Sequence, residues 1–157
     1  MWTLLAVMLF ATPENPGGLI MDCTTHTEQT CSDDEPCAVD VIVWRTLYVM
    51  DPAKDGANIL KRVMVENPLK GTKVSDSTTY ELQAPDKDTD GMLHFLGHSG
   101  AAATDLLVIG PGGGFTAVKS SLGVFTTRMG SCEAERVQPG RMASAVAARW
   151  TRSRPAK

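Results

Sequence analysis

No lysine or arginine occurs before Arg45, whereas Asp22, Glu28, Asp33, Asp34, Glu35 and Asp40 all do. An entry of that sign excludes a basic nucleic-acid footprint at this end of the chain. Long apolar runs are also missing. The most apolar stretch, Met1 to Pro13, is shorter than the roughly 20 residues a helical membrane span needs, and no later segment could serve either. There is no internal repeat, and no Ser, His and carboxylate arrangement forms a recognisable catalytic motif. These absences lead us to expect a non-enzymatic chain without a cofactor, without nucleic acid as a partner and without stable membrane insertion.

What is present begins with four cysteines, Cys23, Cys31, Cys37 and Cys132, following an apolar start. They read as disulfide partners in a periplasmic or secreted protein. Residues 1–20 are expected to be a signal-like or disordered segment: Ala11 and Thr12 precede Pro13, although a positively charged leader region is missing. The 157 residues otherwise suit one domain, placed at 21–135, with a basic tail at 136–157 carrying Arg136, Arg141, Arg149, Arg152, Arg154 and Lys157. The acidic entry and basic exit could attract each other; solvated tails are the simpler expectation.

Short β-branched and aromatic runs dominate the middle. After an irregular acidic stretch to Cys37, residues 38–50 (AVDVIVWRTLYVM) read as a strand. Residues 58–66 suit a short helix or, through Val63 and Val65, a strand. Residues 78–82 and 92–96 are shorter strand candidates. Residues 105–109, the turn Gly110–Gly114, residues 115–119, a second turn at 120–122 and residues 124–129 form a meander ending at Gly130-Ser131-Cys132. A short helix over 141–151 precedes an Arg-Pro tail. The expected fold is all-β: an antiparallel barrel or sandwich of about seven or eight strands, stapled by disulfides.

Four cysteines allow three pairings. Cys37 precedes the first strong strand and Cys132 follows the last, so a bridge between them would close the sheet and leave Cys23 with Cys31. Closing a loop of that length would stabilise by about 4 to 5 kcal/mol. A competing reading takes Cys23, His26, Cys31 and Cys37 as zinc ligands, at a non-standard spacing that leaves Cys132 over. Asp86, Asp88 and Asp90, followed by Gly91, begin like a calcium loop, but Gly97 stands at the twelfth position in place of the bidentate acid. His94 and His98 would share one face of a continuous strand, which Gly97 interrupts. The glycine turn lacks the Lys-Ser/Thr of a phosphate loop and leads into a strand, so it is a hairpin turn.

Residues 104–133 (TDLLVIGPGGGFTAVKSSLGVFTTRMGSCE) resemble the C-terminal half of a group of small exported Cys-containing β proteins of alphaproteobacteria with no assigned function. The entry Cys37-Ala38-Val39-Asp40 is similar to theirs. The resemblance implies an exported compartment and a β fold. More distantly, the chain is similar to the small periplasmic barrels that inhibit C-type lysozymes, where Ser-Gly and Lys-Gly elements carry inhibition. Ser99-Gly100 is the partial match that this similarity implies as a binding element, whereas Lys70-Gly71 lies upstream of it instead of downstream. The reading favoured overall is a non-catalytic exported module binding a protein or envelope component; a metal-binding protein and a lysozyme inhibitor are the alternatives.

Overall fold

Strands of alternating character joined by short turns pair most readily with their neighbours in sequence, and enough of them curl until the ends meet. The computed structural model describes residues 17–66, 73–83, 91–98 and 103–152. Eight strands run in chain order: β1 (Gly18–Ser32), β2 (Ala38–Met50), β3 (Ile59–Glu66), β4 (Lys73–Leu82), β5 (Leu93–His98), β6 (Ala103–Ile109), β7 (Gly114–Ser121) and β8 (Val124–Val137). Each pairs antiparallel with the next, and β8 returns to β1, closing an up-and-down barrel. A one-turn helix, α1 (Pro52–Asp55), follows β2, and α2 (Met142–Arg152) follows β8.

Alternation sorts the side chains. Leu19, Met21, Cys23, Tyr48, Met50, Leu60, Tyr80, Phe95, Leu107, Ile109 and Phe115 fill the lumen. The opposite parity of β1, β2 and β3 places Ile20, Leu47, Val49 and Val63 in a second cluster outside the wall. There Val146 of α2 covers them, with Met142, Ala145 and Trp150 beside it. Those four positions of α2 recur at helical spacing, so the short helix expected within the basic tail is present and docks on the barrel.

Two strands differ from expectation. The stretch before Cys37 is not irregular: residues 18–32 form β1, paired with β8 from Gly18↔Val137 to Ser32↔Val124. Its threonines and polar alternation belong to a strand whose outer side faces solvent or α2. And β8 does not end at Gly130. The register of β1 shifts between Thr25 and Thr27, bringing the Thr24 carbonyl oxygen to 1.9 Å from where a Cβ at residue 130 would lie. Glycine is what lets the two backbones pass. Residues 58–66 resolve as strand, and Gly97 stays within β5 because it makes room for the Tyr80 ring.

The same register decides the bridges. Cys23 and Cys132 face each other across β1 and β8 and are joined; Cys31 and Cys37 are joined across the β1–β2 connection. The expected Cys37–Cys132 link fails because β8 runs on past Cys132, which puts that residue in mid-strand beside Cys23. With every sulfur bridged, the zinc reading loses its thiolates. Two disulfides mark an oxidising, extracytoplasmic setting.

Candidate functional site

The barrel wall is incomplete on one side. β2 and β3 pair only through Leu47↔Val63, Tyr48↔Arg62 and Val49↔Lys61. Beyond a register shift at Arg62/Val63, β3 continues with β4 alone, ending at Glu66↔Lys73. The remaining part of β2, from Ala38 to Thr46, keeps β1 on one edge and has no strand on the other among the described residues. Its outer face carries Val39, Val41 and Val43, exposed by 61%, 86% and 77%. Val41, Thr27 and Met129 share one cross-strand row, so the exposed side chains of Met129 and Phe125 on β8 extend the same apolar face.

Where the strands part, a cleft of about 460 Å³ passes through the wall. Thr46 and Arg62 line it from the lumen side, with Trp44, Lys119 and Arg128; Arg45, Val63 and Trp150 line it from outside, and among the described residues of its walls there is no carboxylate. Arg128 is held in place: its Nε donates to Glu28 Oε2 at 2.5 Å and its guanidinium lies 4.5 Å from the centre of the Trp44 ring. Below, Tyr48 and Tyr80 meet edge to face at 5.9 Å, beside the buried Asp105. Burial pushes both phenols up, and for Tyr80 the neighbouring Tyr48 and the Asp105 charge add to it. The void at this level is only about 30 Å³, room for about one or two waters. The tyrosines therefore fill the lumen at this level, and the larger space lies in the wall.

A charged clasp fixes the outer side of the cleft. Arg45 Nε and Nη2 donate to the two oxygens of Asp22, each at 2.6 Å. Its nitrogens also donate to the carbonyls of Arg149 and Trp150 at 2.8 and 3.1 Å, capping the C-terminal end of α2 with positive charge. The guanidinium lies 5.1 Å from the centre of the Trp150 ring. Arg149 returns to Asp22 Oδ2 at 2.9 Å and also pairs with Glu133. Burial opposes the charge on Asp22, but the hydrogen bonds and charges of Arg45 and Arg149 outweigh it and lower its pKa. The acidic entry and basic exit are thus joined at this point instead of being separately solvated. Nothing local in the sequence pairs residues so far apart; only barrel closure does.

The other expected residues fall elsewhere. Asp86, Asp88 and Asp90, and Ser99 and Gly100, lie outside the described residues, as do Lys70-Gly71 and residues 1–16 of the segment 1–20 expected to be signal-like or disordered, whose residues 18–20 belong to β1. His94 and His98 do share the outer side of an unbroken β5, and His26 bonds Ser131 Oγ at 3.2 Å. Among the described residues no cluster of three or more His, Cys, Asp or Glu could hold a metal. The chain matches no family model, no curated protein and no solved structure. What stands from the resemblances above is an eight-stranded antiparallel barrel with two disulfides.

Proposed function

We propose that this protein is a non-catalytic, exported binding module, periplasmic or secreted, whose partner is a protein docking on the open part of β2. One observation carries the reading. Residues Ala38–Thr46 present a strand edge that is unpartnered among the described residues, together with three highly exposed valines. Unpaired backbone N–H and C=O groups next to exposed apolar area form a surface that another polypeptide can satisfy on both counts. The tyrosine-filled level of the lumen supports a surface role over a small-molecule cavity. Photo-crosslinking in the native compartment tests it. A crosslinker at position 41 or 43 is expected to trap a protein, and one at exposed Thr104 on the far side of the barrel is not. Equal yields at the two faces, or none at 41 and 43, would sink the reading.

A further inference from the structure

The geometry points to an extended acidic strand as the occupant: a segment of another protein that adds to the β2 edge with acidic side chains facing the cleft and apolar ones facing out. This inference rests on the docking reading above and specifies the chemistry of the partner.

The cleft has residues from both faces of the sheet in its walls, Arg45 and Val63 from outside, Thr46 and Arg62 from inside. It is a gap in the sheet, not a dent on its surface. A strand laid along Ala38–Thr46 spans about 30 Å at roughly 3.3 Å per residue, and its side chains alternate between the two faces. Outward positions continue the row of Val39, Val41 and Val43, where β-branched or apolar side chains pair best. Inward positions enter a space walled by Trp44, Arg62, Lys119 and Arg128. Arg128 already has Glu28, but Lys119, only partly exposed, has no ion-pair partner among the described residues. A carboxylate arriving there gains a charge-assisted contact; a lysine meets like charge. A second copy of the chain would bring the inward positions of its own β2, where Asp40 is the single carboxylate, and is the competing occupant that the test must separate.

The test uses the full oxidised chain and three peptides of about nine residues: alternating Val/Glu, Val/Gln and Val/Lys. Titrations are followed by backbone amide shifts at residues 38–46. The Val/Glu peptide is expected to bind roughly ten-fold tighter than Val/Gln, with Val/Lys weakest and the gap closing as salt rises. Lys119→Gln should narrow the Glu/Gln gap, and N-methylation of alternate peptide amides should abolish binding. Equal affinity for Val/Glu and Val/Gln would overturn the acidic specificity and leave docking on β2 standing. No shift at 38–46 with any peptide would overturn strand addition, while a surviving crosslink at position 41 would still support a protein partner. A concentration-dependent dimer in sedimentation that Val41→Lys dissociates would overturn the inference in favour of a second copy.

Discussion

The two disulfides should differ in worth by more than two-fold, because they close loops of very different length. Cys23–Cys132 spans 109 residues in sequence and Cys31–Cys37 spans 6. The chain-entropy relation gives about 4.8 kcal/mol for the first and about 2.2 kcal/mol for the second. Packing widens the difference. Cys23 is fully buried among Met21, Tyr48 and Phe115, so truncation there also opens a cavity, whereas Cys37 is exposed. The experiment compares Cys23→Ala/Cys132→Ala with Cys31→Ala/Cys37→Ala by urea unfolding and linear extrapolation. The long-loop variant should lose at least about 4 kcal/mol, a large part of the stability of a domain this size. It should also unfold with a steeper denaturant dependence, because the unlinked unfolded chain exposes more surface. The short-loop variant should lose about 2 kcal/mol with its slope little changed. If the short-loop pair costs as much as the long one, loop closure is not what these bridges contribute.

Two further predictions concern the clasp and a turn. Asp22→Asn leaves Arg45 and Arg149 together around a neutral, 8% exposed group, so at neutral pH it should cost about 3 kcal/mol in urea unfolding. The folded pKa of Asp22 is depressed, so its contribution is complete above the unfolded carboxylate value near 3.9 and is lost as pH falls through the lower folded value; a mutant gap that stays constant down to about pH 2 would refute the clasp as its origin. Leu122 has φ of 48° and Gly123 of 80° in the two-residue β7–β8 turn, the pattern that favours Asn-Gly. Leu122→Asn should therefore stabilise by about 1 kcal/mol, and an unchanged or lower melting temperature would contradict it.

The meander from β6 to β8 was legible because its signals are local: Val/Leu/Ile alternation, a glycine turn, and a second short turn between β7 and β8. β1 was hidden by its composition. Thr24, Thr25, Thr27, Glu28 and Thr30 read as an acidic linker until β8 is placed beside them, and only then do they form a strand with one wet face. The bridges followed the same logic, since a pairing rule built on strand ends fails when a strand runs through its glycine. The cleft was not legible at all. Trp44 was visible as a strand aromatic, but Arg62, Lys119 and Arg128 come from three other strands and converge only through closure. The clasp could have been suspected from the opposite charges of the two ends, but not assigned to Asp22 and Arg149.

The β2 edge also bears on how the protein stays soluble. Proteins usually blunt an open edge with lysines, prolines or very short strands, because an apolar edge invites uncontrolled pairing. From Ala38 to Trp44 the chain has neither lysine nor proline, and Asp40 is its sole charge. The segment is nevertheless held out as an ordered strand: Cys31–Cys37 ties its beginning to β1, Arg45 fixes its end to α2, and Arg128 stacks on Trp44 from within. Fixing an undefended edge in an extended, pairing-ready form lowers the ordering cost of adding a strand to it. If the edge were only a by-product of β3 turning towards β4, nothing would favour holding it from three sides. That rigidity supports the docking reading, and it makes Val41→Lys informative. A charge on the outer face should reduce self-association and partner binding together, with little change in stability at a position that is 86% exposed.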